Sequence, residues 1–503
     1  MKKFTAAVLL TGSTVLMGMH GAALAQSTGG PAAETDFSYP SDRTPQYIVT
    51  FHGTQSFGQE LAALRSSLAA QAANPAELDE LVAANRATLE RDIRHAARAR
   101  VADLRASAGF NVKWQRALAT GADVVRFDPS EIGMSHQEFM LELEADPAVA
   151  SVEFDALLKP MFTPNDQFYS AQWHYYEATA GLNLESAWDT ATGAGVTVAV
   201  LDTGHRPHVD LIGNIIGGYD FISDSSSARD GNGRDSNAED EGDWTTGECG
   251  PASNSSWHGT HVSGTIAAVT NNGTGVAGVA YNADILSVRV LGRCGGSLSD
   301  IADAVIWSSG GSVAGVPNNS NPAEVINMSL GGSGSCGSTY QNAINTAVGN
   351  GTVVVVAAGN SNTNASGARP ANCANVVTVA ALDRQGNRAS YSNYGSVIDV
   401  AAPGGETSPT SSNGVASTLN AGTTTPGGDN YVYYQGTSMA TPHVAGVAAL
   451  MIDENPSLTP AEIESILAST SRSIPGSCSG GCGAGLVDAT AAVAGSTGGG
   501  GGG

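Results

Sequence analysis

Two apolar runs, Val196–Leu201 and Val353–Ala357, constrain what this chain can become more than any other feature, because neither alternates. A strand with one wet face alternates apolar and polar side chains. One that does not is buried on both faces, as in a parallel sheet covered by helices. The first run stops abruptly at Asp202-Thr203-Gly204 and the second at Gly359-Asn360. Open α/β sheets place their sites at the carboxyl edge of the strands, so Asp202 stands where chemistry is expected. The expected class is α/β, three layers deep, with helices on both faces of a mainly parallel sheet.

Two further segments supply partners for that carboxylate. His258-Gly259-Thr260-His261-Val262-Ser263-Gly264 sets an imidazole at the start of a small-residue helix. Gly436-Thr437-Ser438-Met439-Ala440-Thr441-Pro442-His443 sets a serine between a tight turn and an Ala- and Val-rich helix. Alone, that serine would be an ordinary helix cap. Together the three make a set. A serine hydroxyl is a poor nucleophile until a base takes its proton, and an imidazole serves best when a carboxylate fixes its tautomer. The first N–H groups of the serine's helix would stabilise charge developing on a substrate carbonyl oxygen. The chain order, Asp202 then His258 then Ser438, and the lack of a Gly-x-Ser-x-Gly elbow set aside a lipase or esterase.

These motifs resemble those of the subtilisin-like serine proteases, the subtilase family. Asp-Thr-Gly, His-Gly-Thr-His-Val-x-Gly and Gly-Thr-Ser-Met-Ala-x-Pro-His-Val-Ala-Gly occur in order, and the resemblance covers about residues 162 to 490. It implies a peptidase with Asp202 orienting, His258 as general base and acid, and Ser438 as nucleophile. It also implies that Asn360 gives its side-chain N–H to the oxyanion. The segment Ser329-Leu330-Gly331-Gly332 is similar to the family's edge segment that takes substrate as an added strand, a mode indifferent to side-chain identity. With Ala358, Gly359 and the region near Ala368 it would wall the pocket before the scissile bond. No charge is identified at that pocket's floor, so large apolar residues are the expected preference within broad specificity. His261 and His443 read as packed structural histidines, and His205 and His208 as surface or cleft residues. A catalytically silent peptide-binding module is the rival reading, and the complete triad with Asn360 argues against it.

The N-terminus sets the compartment. Met1-Lys2-Lys3, an apolar stretch and Ala23-Leu24-Ala25 describe a secretory signal over residues 1–25, with an uncleaved anchor as the less favoured alternative. Residues 26–161 differ in character from the rest of the chain: all four lysines lie before position 160. Strands at Tyr47–Phe51, Val124–Phe127 and Val149–Phe154, with helices over 74–106 and 137–145, account for three strands and both helices of a β-α-β-β-α-β order, which is similar to the inhibitory propeptides of subtilases. Such a segment is expected to act as intramolecular inhibitor of the catalytic domain at 162–495. A glycine-rich tail at 496–503 closes the chain.

After position 160, nine arginines face 28 acidic residues, a balance of −19 out of the chain's −24. That surface argues against nucleic acid or anionic membrane as partner. The resemblance implies protein and peptide substrates, and with the N-terminal signal the expected form is a secreted, extracellular monomer. The acids concentrate between Asp220 and Asp243. Asp224, Asp230, Asn232, Asp235 and Asp243 place hard oxygens around glycines, the demand of Ca2+, and unpaired acids this dense would repel one another. The resemblance adds Asp166, Asp210 and Asn272 as Ca2+ ligands. Six cysteines in an exported chain read as disulfides, with fifteen connectivities open. Cys478 and Cys482 would pair locally, and resemblance to related secreted proteases implies Cys249 with Cys294 and Cys336 with Cys373.

Overall fold

The computed structural model describes residues 44–156 and 162–497. The expected signal segment, the boundary at 161/162 and the glycines from 498 on lie outside the described residues. The chain divides into two compact units, Met1–Lys159 and Pro160–Gly503.

In the first unit the elements run β1 (Gln46–Phe51), α1 (Phe57–Leu68), α2 (Pro75–Ala108), β2 (Lys113–Ala117), β3 (Asp123–Arg126), α3 (His136–Glu144) and β4 (Val149–Phe154). The strands form an antiparallel sheet in the order β2-β3-β1-β4. Helix α2 begins where Asn74 caps it and Pro75 presets its first turn, and ends at Gly109 in the left-handed conformation. Alternate residues of β1 and β4, among them Tyr47, Val49 and Val152, turn to one face and meet Phe139 and Leu143 of α3 and Val101 and Leu104 of α2. The two-residue period of the strands thus supplies this unit's core.

The second unit opens with α4 (Trp173–Tyr176), β5 (Thr197–Asp202), β6 (Ile215–Asp220), α5 (Ser225–Ala228), α6 (His258–Ala267), β7 (Asp284–Arg289), α7 (Leu298–Ser308) and β8 (Val325–Met328). It continues with β9 (Gly332–Ser333), α8 (Gly337–Gly349), β10 (Val353–Ala357), β11 (Ala368–Arg369), β12 (Val377–Leu382) and β13 (Val400–Pro403). A hairpin of β14 (Val415–Asn420) and β15 (Asp429–Tyr434) precedes α9 (Thr437–Glu454), α10 (Pro460–Thr470) and α11 (Ala489–Ser496).

Seven strands pair in parallel, in the order β13-β12-β10-β8-β5-β7-β6. Alternate residues of each strand serve opposite faces. Val198, Val200, Val353 and Val355 pack with α6 and α9, while Ala199, Leu201, Val354 and Val356 pack with α7 and α8. Both faces being covered, the central strands are mostly apolar on either side, which is why β5 and β10 show in the sequence as nearly unbroken apolar runs. The buried polar residues Ser287, Arg289, Asn327 and Thr378 are exceptions within β7, β8 and β12. The expected three-layer α/β architecture holds, and the main sheet is parallel throughout. Among the described residues no helix is long and apolar enough to cross a membrane.

Candidate active site

The carboxyl ends of adjacent strands deliver the candidate residues to one edge. Asp202 ends β5, Ser329 follows β8, and Asn360 follows β10 three residues after its last strand residue. Helix α6 brings His258 over β5, and α9 brings Ser438 in its first turn.

Asp202 is fully buried, and its two oxygens lie 2.8 and 2.9 Å from Nδ1 of His258. The Thr203 N–H also donates to Asp202 Oδ1 at 2.7 Å. Nδ1 therefore carries the ring's proton, and Nε2 is left with a free lone pair. The His258 side chain is 21% exposed. Burial pulls its pKa down, but the charge and hydrogen bond of Asp202, helped by Asp243 and Asp240, outweigh that and leave it above the ordinary value of 6.5. Trp257, just before the helix, adopts φ 49° and ψ 32°, a left-handed conformation costly for a bulky residue. Its indole is buried and donates to the Gly422 carbonyl at 2.6 Å, which fixes the entry of the chain into α6.

Ser438 is half-buried, and its hydroxyl donates to the Ser329 carbonyl at 3.2 Å. In return the Ser329 hydroxyl donates to the Ser438 carbonyl at 2.9 Å. Asn360 is exposed, yet its amide is oriented: Oδ1 accepts from both the N–H and the hydroxyl of Thr437, at 2.8 and 2.9 Å. Its NH2 group is thereby turned outward as a donor. A Cβ placed on Gly436 would sit 3.5 Å from both Asn360 Nδ2 and the Ser438 N–H, so the two donors converge over a glycine with φ 152°, ψ 160°. Side chains rarely adopt that conformation.

Of the expected substrate contacts, Gly332 is exposed and pairs with Arg369 in the short β9–β11 ribbon, which places Ala368 beside Ser333. The Leu330 side chain packs into the α7/α8 core and that of Ala358 into a smaller core with Leu382 and Leu486, so both offer backbone rather than side chain to the cleft. Gly331 and Gly359 flank them on the same edge. Next to His258 lies a cleft of about 480 Å³ lined by Thr203, Ser256, Leu291, Gly295 and Ser329, with the Cys249–Cys294 bridge in its wall. The other pairs are Cys336–Cys373 and Cys478–Cys482, so all three expected disulfides form.

The remaining histidines divide differently from expectation. His261 and His443 are buried and bonded to backbone carbonyls, as expected. His205 and His208 are buried too, not on the surface or in the cleft. His208 Nε2 meets the Asn430 carbonyl, and its Nδ1 accepts from the Asp210 N–H.

The two groups of Ca2+ candidates also part company. Asp166, Asp210 and Asn272 come together: Asn272 donates from Nδ2 to Asp210 at 2.7 Å and from its backbone to Asp166 at 3.3 Å. Both carboxylates are buried, and burial pushes Asp210 up to about 6, with Asp166 adding repulsion. Buried, mutually repelling hard oxygens fit a divalent cation. The acidic-loop residues do not converge. Asp224 caps α5, Asp230 meets Arg289 at 3.2 Å, Asn232 binds Asp235 at 2.8 Å, and Asp243 is held by Ser256 at 2.6 and 2.8 Å. The expected repulsion among these acids is offset by arginines distant in sequence. Arg289 reaches Asp220 and Asp230, and Arg206 reaches Glu239 at 3.0 Å. Among the described residues no group of three or more His, Cys, Asp or Glu is placed to hold a metal.

Sequence reasoning gave no role to Thr203, Ser256 or Thr437. Two of them stand inside the quoted Asp-Thr-Gly and Gly-Thr-Ser motifs, which was the available signal.

The subtilase family model matches residues 193–485. The chain is 58% identical over 415 residues to an extracellular protease of Xanthomonas campestris, covering 82% of this chain and 70% of that one. It is 45% identical over 399 residues to an extracellular basic protease of Dichelobacter nodosus, covering 77% of this chain and 65% of that one. Among solved structures, a protease from Pseudoalteromonas arctica superposes with a TM-score of 0.66 at 66% identity, covering 67% of this chain and all of that one.

Proposed function

The chain belongs to the subtilase family of serine proteases, and from that premise we propose that it is an exported endopeptidase that cleaves extracellular proteins through an acyl-enzyme. The observation that carries the proposal is His258 Nδ1 held between both oxygens of a buried Asp202, on the same sheet edge as Ser438 and Asn360. Ser438 Oγ attacks the scissile carbonyl as His258 Nε2 takes its proton, and Asp202 stabilises the imidazolium. Asn360 Nδ2 and the Ser438 N–H receive the oxyanion. His258 then returns the proton to the leaving amine. A water, deprotonated by the same base, releases the acyl group.

Substrate pairs along Ser329–Gly332, and large apolar residues are preferred before the scissile bond. Residues 1–25 direct export, and residues 26–161 form a propeptide that holds the enzyme inactive until cleaved. Asp166, Asp210 and Asn272 would hold Ca2+, whose contribution is to neutralise two buried carboxylates and tie the segment at 166 to the loops at 210 and 272.

The test is release of chromophore from a short peptide ending in Phe by the processed protein and by Ser438→Ala. Turnover by the wild type alone supports the proposal. Equal turnover by both, or none by a folded wild type freed of residues 26–161, rejects it.

A further inference from the structure

Behind Asp202 lies a second carboxylate that the triad chemistry does not use. Asp240, in the loop between α5 and α6, is 1% exposed. Its N–H donates to the His205 carbonyl at 2.8 Å, its Oδ1 accepts from the Gly242 N–H at 2.8 Å, and its carbonyl accepts from Arg206 at 3.0 Å. The loop is pressed against the end of β5. A Cβ on Gly204 would lie 2.5 Å from the Ala238 carbonyl oxygen and 3.1 Å from the Asp240 nitrogen. Oδ2 of Asp240 is buried without a hydrogen bond of ordinary geometry, which is costly for a charged oxygen and calls for a reason.

The reason lies in Thr203, which ties three parts of the site together. Its N–H donates to Asp202 Oδ1 at 2.7 Å, and its hydroxyl oxygen accepts from the Gly259 N–H at 3.0 Å, one residue past His258. A hydroxyl that accepts on one side has a single proton to give. The Asp240 backbone is packed on Gly204 and tied to His205, one and two residues past Thr203, and the Thr203 hydroxyl opposes the upward push that burial gives the Asp240 carboxyl.

We propose that Asp240 is a positioning residue of the hydrolytic site. Through Thr203 it holds Asp202 and His258 in register, and its charge stabilises the imidazolium that forms on His258 during acyl transfer. The inference rests on the reading of Asp202, His258 and Ser438 as the catalytic triad.

The charges around the two groups are few. His258 faces Asp202 from β5, Asp240 and Asp243 from the loop, and His261 in its own helix. Asp240 faces Asp243, the Arg289 guanidinium of β7 and, at its carbonyl, the Arg206 guanidinium, which is itself paired with Glu239. Asp243 differs from Asp240 in that both its oxygens are taken by Ser256, so it cannot steer Thr203. Burial pushes the Asp240 carboxyl up to about 7, so its charge builds up through neutral pH and is complete in the alkaline range, where His258 is a neutral base.

The experiment compares kcat, KM and the pH dependence of kcat/KM for processed wild type, Asp240→Asn, Thr203→Ser, Thr203→Val and Ser438→Ala. Asp240→Asn is expected to lower kcat about tenfold with KM within about twofold, and to move the acid limb down by roughly half a pH unit, since a negative charge near His258 is gone. Thr203→Ser keeps the hydroxyl and should retain kcat, while Thr203→Val should lose it. A wild-type kcat and acid limb in Asp240→Asn, with only a lower melting temperature, would overturn the inference. Should Asp240→Asn fail to mature, equal kcat in Thr203→Ser and Thr203→Val overturns it as well. Turnover retained by Ser438→Ala would instead sink the triad reading itself.

Discussion

The Ser329 hydroxyl donates to the carbonyl of Ser438, 2.9 Å away, and that is the carbonyl which Pro442, four residues on in α9, has no N–H to satisfy. A proline inside a helix removes one backbone bond, and here a side chain from the end of β8 replaces it. The residue so anchored is the proposed nucleophile. Ser329→Ala should leave the Ser438 carbonyl unpaired and take away the acceptor of the Asn327 amide. The expected loss is about 1–3 kcal/mol of stability and roughly tenfold in kcat. Urea unfolding and peptide turnover read the two effects separately, and unchanged values in both would show the bond to be incidental.

Thr437 holds Asn360 by the oxygen and so determines which way its NH2 faces. Asn360→Ala should cost about two to three orders of magnitude in kcat, with KM nearly unchanged, because the donor acts on charge that exists only during reaction. A loss below tenfold in a well-folded variant would remove Asn360 from the oxyanion site.

The Asp202 pair raises His258 above its ordinary value of 6.5 despite burial. The base must be neutral to take the serine proton, so protonation silences it. Activity should therefore rise through a pKa above about 6.5 and hold in the alkaline range. A pH profile of kcat/KM with its acid limb below that value would contradict the pairing.

Cys336 and Cys373 span 37 positions and close the segment that carries β11, whose ribbon partner β9 ends three residues before Cys336, beside the expected substrate strand. Replacing both with serine should lower stability by about 2–4 kcal/mol. It should also raise KM for peptides more than it lowers kcat, since the ribbon borders the binding edge rather than the reacting atoms. A variant with wild-type KM would confine the bridge to a stabilising role.

How legible each element is in the sequence depends on how local its cause is. β5 and β10 are legible because burial on both faces leaves them almost wholly apolar, and α2 because Asn74, Pro75 and Gly109 mark its ends. β2, reading Lys-Trp-Gln-Arg-Ala, is a largely exposed edge strand without a period, so no pattern marks it. The 12-residue helix α1 opens with a Ser56–Gln59 capping box, a local signal the sequence reading passed over. Within the site, Asp202, His258 and Ser438 stand in motifs, whereas the bond between Thr203 and Gly259 joins two segments 56 positions apart that only folding brings together. The acidic loop misleads for the same reason. Its charge partners, such as Arg289 for Asp220 and Asp300 for Arg234, lie 66 to 69 positions away, beyond any local pattern.

Asp166 and Asp210 supply the remaining prediction. Their carboxylates are buried, they repel one another, and Asn272 joins them through its amide and its backbone. Without a cation, that repulsion opposes folding. With Ca2+ at about a hundred times its dissociation constant, binding to the folded state alone adds about 2.7 kcal/mol. A chelator should therefore lower the melting temperature of the wild type by several degrees and shorten its working life at elevated temperature. Asp210→Asn removes one of the two charges, so the variant should start from a lower melting temperature in Ca2+ and respond little to the chelator. The Ser438→Ala protein allows the same melts without self-digestion. If its melting temperature is the same with and without chelator, these residues do not form a stabilising Ca2+ site. A chelator response that persists in full in Asp210→Asn would place the ion elsewhere in the chain.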